Sequence, residues 1–358
     1  MQKSTLYLKP LDGLRFFAFL AVFTHHFPGF AWPLVANGLH NRGWVGVELF
    51  FIISSFLFFH LLNAEYEKTG AISAKRFYIR RLLRIYPLMV IFPLGMILYF
   101  GPGHALAWQR LAGIALFADN LMAWFGHYNA ITKGTSHLWT LSFEFQVYLF
   151  IPLVFLLYKR FGKRAFLSGL AGVFIYCFLL RMTFYAGAAK HPLIWVTPFL
   201  RPESVLMGMA LFVIQPKWPW WWSAVVSVLA GAAFFNMPNP WDTALASALS
   251  YPLAAIMCGG LMDAGLRWHW GARALSISPL IALGRISFGL YVFHYFCIIL
   301  VMEMLQMPHG PVAYLATLGL TIVLATISFF GMEYWIDKLK ARFAVVEGRG
   351  APALVQPA

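Results

Sequence analysis

Charged side chains are scarce: they make up 11% of the 358 residues, and only 13 of them are acidic. A soluble domain carries about 25%, so this chain is short of the material for an ordinary water-facing surface. Cysteine is nearly missing as well. Cys177, Cys258 and Cys297 each fall inside an apolar run, where they read as small core residues rather than as disulfide partners or metal ligands. No pair of His or Cys stands at ligand spacing with a carboxylate, so no metal centre is expected. The first apolar segment has no small-residue cleavage site and is interrupted by Arg15. It is therefore expected to stay as a span rather than leave as a signal peptide.

What is present in excess is apolar surface, at 61% of residues, with 18% aromatic. Repeated apolar runs near 20 residues predict an all-α, polytopic transmembrane helical bundle, because lipid tolerates only backbone that satisfies its own hydrogen bonds. The spans are expected at about 11–31, 44–63, 83–100, 141–158, 165–184, 203–215, 220–236, 243–262, 280–304 and 311–335. The formal charge of +14 is not a nucleic-acid signal, since the basic residues sit in short loops between these runs. Lys3 and Lys9, the loop holding Lys68 through Arg84, the segment Lys159–Arg164 and the group Lys338, Lys340 and Arg342 should all be cytoplasmic. They can share that side only if the short apolar segment Leu111–Phe125 does not cross. The expectation is thus about ten spans, both termini inside, and one outer half-helix kept away from lipid. Residues 1–343 form a single membrane-embedded domain in this reading, and 344–358 a short flexible tail.

This topology sorts the rare polar residues by depth. Arg15 and His26 stand eleven positions apart on the first span. That is nearly three turns, which puts them on one face about 16 Å apart. His25, His26, Glu48, His137 and Glu144 gather toward the outer end, while Arg15, Arg76, Arg80, Arg81 and Arg84 gather at the inner end. Ionisable groups at such depths are costly and default to a functional reading. A neutral imidazole suits general-base work near neutral pH, so His26 is the candidate base. Glu48 or Glu144 is the candidate to orient it, and the sequence does not choose between them. His137 is equally readable as a loop histidine, and Trp139 as an interfacial aromatic or a sugar-stacking platform. Ser287, Tyr291 and His294 share a helix face. His294 is expected to hydrogen-bond across helices more than to line a channel. Arg201 and Glu203 open another span, with an ion pair as the default.

Several of these stretches carry a resemblance. Leu11-Asp12-Gly13-Leu14-Arg15 with His26 is similar to the opening motif of the type 3 acyltransferase family, whose members are multi-pass membrane O-acyltransferases often acting on bacterial surface glycans. Gly46-Val47-Glu48-Leu49-Phe50-Phe51 resembles the second-span motif, and Phe77-Tyr78-Ile79-Arg80-Arg81 with Arg84 through Pro87 resembles the basic cytoplasmic segment. Trp139-Thr140-Leu141 followed by Glu144 and Tyr148, and Gly284-Arg285-Ile286-Ser287 through Tyr291 with His294, complete the set. The chain departs from the pattern at Phe145, often acidic in the family, at Ser55, often glycine, and after Glu333, where a proline is common.

The resemblance implies an acyl-CoA donor, most often acetyl-CoA, with no permanently bound cofactor. CoA phosphates would need a cationic cytoplasmic site, which Arg15, Arg76, Arg80, Arg81 and Arg84 supply. The pantetheine arm would then reach toward His26, with His25, His137, Trp139, Tyr148, Tyr291 and His294 around the acceptor hydroxyl. The expected partners are the lipid bilayer, the acyl-CoA and a glycan or lipid-linked saccharide, and the expected location is the bacterial inner membrane. The rival class is a secondary transporter of an anion or sugar, which predicts inverted repeats with broken helices in matching halves. Neither the acceptor nor the oligomeric state is written in the sequence.

Overall fold

A computed structural model describes residues 7–29, 33–128, 133–187 and 191–343, and among these every regular element is a helix. In order come α1 (Lys9–His26), α2 (Pro33–Arg42), α3 (Val45–Thr69), α4 (Ala74–Phe100) and α5 (Ala105–Ala115). Then follow α6 (Trp139–Ala186), α7 (Leu193–Val196), α8 (Glu203–Ile214), α9 (Trp220–Asn236) and α10 (Ala244–Arg267). The chain closes with α11 (His269–Leu275), α12 (Ser278–Arg285), α13 (Ser287–Ile298), α14 (Pro311–Ser328) and α15 (Tyr334–Ala341). Among the described residues, six helical segments are long and apolar enough to cross a membrane: Val45–Thr69, Ala74–Phe100, Ser136–Ala186, Ala244–Arg267, Ser287–Met304 and Pro311–Lys340. The expected tail at 344–358 lies outside the described residues.

Two boundaries differ from the sequence expectation, and one agrees. The division expected at 159–164 falls at Gly162, which adopts φ +76° and parts α6 into two helices. Glycine makes that positive-φ backbone cheap. The half-helix expected over Leu111–Phe125 is the end of α5 followed by a 3₁₀ turn, Asp119–Phe125. Arg110 holds these pieces together, with its Nε 3.1 Å from Asp119 Oδ1 and its Nη2 donating to the Thr135 carbonyl at 2.9 Å. Burial pushes the Asp119 carboxyl up from its usual range, and the Arg110 guanidinium beside it pulls it partly back. The single span expected at 280–304 is bent at Ile286 between α12 and α13 and ends in a π-helical stretch, Ile299–Met304. A second π stretch, Phe329–Glu333, joins α14 to α15.

Glycines set how closely α1 is enclosed. A Cβ on Gly46 of α3 would stand 2.1 Å from the Ala18 carbonyl oxygen, and one on Gly284 of α12 would stand 1.9 Å from that of Asp12. Backbones meet directly at both places, as small residues permit inside membranes. Gly284→Ala is therefore expected to destabilise the protein by about 1–3 kcal/mol, because α1 and α12 must part to admit a methyl group. Gly319→Ala on α14, where a Cβ meets nothing within 4 Å, should be neutral or stabilising by up to about 1 kcal/mol. Thermal unfolding of the two variants in detergent compares them.

Candidate active site

The packing of α1 between α3 and α12 delivers His26, the last residue of α1, to the side of α13. His26 Nδ1 lies 2.9 Å from His294 Nε2, and the two rings are nearly parallel at 19° with centroids 5.1 Å apart. His294 Nδ1 in turn lies 2.6 Å from the carbonyl oxygen of Tyr291, one helical turn back. A carbonyl can only accept, so Nδ1 of His294 carries the proton, its Nε2 is the acceptor, and His26 Nδ1 donates to it. The nitrogen of His26 left over is Nε2. His294 is fully buried whereas His26 is only half-buried, so His26 is the more accessible ring of the pair.

His137 approaches from the turn ahead of α6. Its Nε2 donates to the Val292 carbonyl at 3.1 Å, its ring lies 4.7 Å from that of His294, and it stacks at 11° on Tyr295. Tyr291 locks this approach: its hydroxyl is 2.7 Å from Thr140 Oγ1 and donates to the His137 carbonyl at 3.0 Å. Tyr295 closes the group, with its ring 4.6 Å from His26. Thus α1, α13 and the start of α6 bring His26, His137, Tyr291 and His294 together. His25 turns the other way, its Nδ1 donating to the His40 carbonyl at 2.6 Å.

The two carboxylates expected near His26 are engaged elsewhere. Both oxygens of Glu48 are taken: it forms an ion pair with Arg201 and accepts from Ser204 Oγ at 2.5 Å. The Arg201 guanidinium is boxed by aromatic rings, Trp195 at 4.3 Å, Trp139 and Phe143 at 5.2 Å and Tyr251 at 5.4 Å. The Arg201–Glu203 ion pair expected from sequence does not form, because Glu203 pairs with Arg181 of α6 instead. Trp139 is buried against Arg201 and Trp195, whereas a sugar-stacking platform needs an open face. Glu144 accepts from Ser54 Oγ at 2.8 Å and from the hydroxyl of Tyr148.

At the other end, the arginines are spread rather than clustered at one point. Arg15 is paired with Asp12 at 2.8 Å, and Tyr7 donates to the other oxygen of that carboxylate at 2.5 Å. Arg80 lies 3.7 Å from Glu65 and donates to the Phe343 carbonyl at 2.9 Å. Arg81 sits over the Phe58 ring at 4.7 Å, and Arg76 is exposed. Arg84 and Arg285 line one shallow open cleft, together with Glu333 and Asp337. Sequence reasoning missed the partner of Arg15, although an aspartate three residues earlier on a helix is a readable signal. It missed Arg181 and the His26–His294 contact for want of any local signal.

An apolar helical bundle with six helices long enough to cross a bilayer, burying ion pairs and holding a half-buried imidazole against a second, defines a multi-pass membrane protein. The acyltransferase-domain profile matches residues 9–330, and the chain belongs to the type 3 acyltransferase family. It is 29% identical to O-acetyltransferase OatA of Staphylococcus aureus strain NCTC 8325 / PS 47 over 363 aligned residues, covering 94% of this chain and 58% of that protein. The OatA of strain COL matches with the same identity and coverage. The chain thus spans less than two thirds of the length of these curated relatives. No solved structure matches.

Proposed function

We propose that the protein is a multi-pass O-acetyltransferase of the bacterial inner membrane. It takes an acetyl group from cytoplasmic acyl-CoA and places it on a hydroxyl of a glycan or similar acceptor at the outer side. The observation that carries this reading is the half-buried His26, whose Nδ1 is committed to His294 while Nε2 stays available. About ten spans with both termini cytoplasmic fit it, because Lys159–Arg164 at the α6 break then faces the same side as Arg76–Arg84.

In this mechanism the acceptor hydroxyl gives its proton to His26 Nε2 as its oxygen attacks the thioester carbonyl. The C–O bond forms, the C–S bond breaks, and the departing thiolate recovers the proton from the imidazolium. The arginines at the opposite end meet the donor's phosphates. Arg84 and Arg285 line the cleft that opens there, and Arg15, Arg76, Arg80 and Arg81 are the further cations assigned to the donor's phosphates. Glu333 and Asp337 on the cleft wall repel phosphate, so the two arginines must outweigh them.

The test is purified protein given acetyl-CoA and a polysaccharide acceptor, with free CoA thiol and ester-linked acetyl both measured. Equal yields of the two are expected; neither product forming would overturn the proposal. In the same assay Arg84→Gln with Arg285→Gln should raise KM for acetyl-CoA about tenfold or more, the loss of one charge-assisted contact at roughly 1.5–3 kcal/mol, with kcat little changed.

A further inference from the structure

We infer that His294 is the positioning residue of the acyl transfer, filling the place that a carboxylate holds in a Ser-His-Asp arrangement. This rests on the reading of His26 as the base. Two short contacts in series fix one proton each: the Tyr291 carbonyl holds the proton of His294 on Nδ1 at 2.6 Å, and the bare Nε2 of His294 holds the proton of His26 on Nδ1 at 2.9 Å. His26 is thereby locked with its lone pair on Nε2. The backbone carbonyl anchoring the series belongs to α13 itself, so the proton arrangement is set by helix geometry.

The other candidates each make contacts of their own, and His294 is the one that meets His26 Nδ1. Glu48 is held by Arg201 and Ser204, Glu144 by Ser54 and Tyr148, and His137 spends its Nε2 proton on the Val292 carbonyl. A neutral partner suits this site. It orients the ring without adding a second formal charge to a buried interior, and it accepts the stronger hydrogen bond that His26 donates once protonated.

The experiment compares His294→Phe, His294→Gln and His26→Ala in the acetyl-transfer assay. Phe keeps a ring of similar size and removes the acceptor, whereas Gln places a carbonyl oxygen near the position of Nε2. His294→Phe is expected to lower kcat at least about 10²-fold, the low end of what a positioned base contributes, with KM for both substrates unchanged. His294→Gln should recover about tenfold of that loss, the worth of one hydrogen bond. ¹⁵N spectra of labelled histidine should show the His26 proton on Nδ1 in the wild type and on Nε2 in the Phe variant. Full activity of His294→Phe, a loss confined to KM, equal rates for Phe and Gln, or an Nδ1 proton retained in the Phe variant would each overturn the role. Should the Phe variant fail to accumulate, His294→Asn, which keeps the donor to Tyr291 and loses the acceptor, is measured in its place. His26→Ala separates the two levels. If it stays active, the base assignment itself falls. If it is dead while His294→Phe is fully active, only the positioning role falls.

Discussion

His26→Ala is expected to lower kcat for acetyl transfer by about 10²–10⁴-fold, the range a positioned general base contributes, while the protein still inserts and binds acyl-CoA. The physical ground is a division of labour within the ring. Nδ1 faces a buried partner and is spent on orientation, which leaves Nε2 for the proton transfer. Truncation to Ala removes both at once. Because His26 ends α1, next to a Phe27 that is fully buried among Phe23 and Tyr314, the helix terminus keeps its apolar anchor when the imidazole goes. Stability should therefore change little, and the loss should be one of rate. Two measurements check this: ester-linked acetyl on surface polysaccharide in cells carrying the variant, and the melting temperature of the purified protein. Acetylation at wild-type level, with the variant present in the membrane, would remove His26 from the chemistry. Imidazole added to the assay should restore part of the rate, since the cavity left by the ring admits it.

How much of this was legible in the chain varies residue by residue. The helical class followed from apolar run length alone, and the α6 break fell where Gly162 sits among basic residues. Arg15 and His26 were placed on one helix by counting turns, and Asp12 beside Arg15 was within reach of the same counting. What counting does not reveal is the rotation of one helix against another. His294 follows His26 by 268 residues, and the close approach of α12 to the α1 backbone at Gly284 and Asp12 is likewise set by packing between distant segments. Glu48 read as a catalytic carboxylate because it is an acid at the start of an apolar helix. Its partner Arg201 lies 153 residues away, and nothing local announces it. Arg201 and Glu203 looked like a pair because they are close in sequence. Two residues apart at a helix start, they face different neighbours, α3 and α6.

That separation carries the other large effect. Arg201→Ala is expected to cost about 3–5 kcal/mol, because it leaves the Glu48 carboxylate buried without its counter-charge. The loss should appear as poor accumulation and a much lower melting temperature in detergent. Glu48→Gln alone should also destabilise, leaving Arg201 charged among Trp139, Phe143, Trp195 and Tyr251. Combining Glu48→Gln with Arg201→Met removes both charges and keeps most of the volume, so the double variant should be more stable than the sum of the single losses by about 0.5–3 kcal/mol. The cycle also decides what Glu48 is for. If the ion pair only holds α3 to the start of α8, the folded double variant should regain acetyl transfer along with its melting temperature. A double variant that folds and melts normally but stays inactive would return Glu48 to the chemistry, and with it the carboxylate partner for His26 that the contacts of His294 argue against.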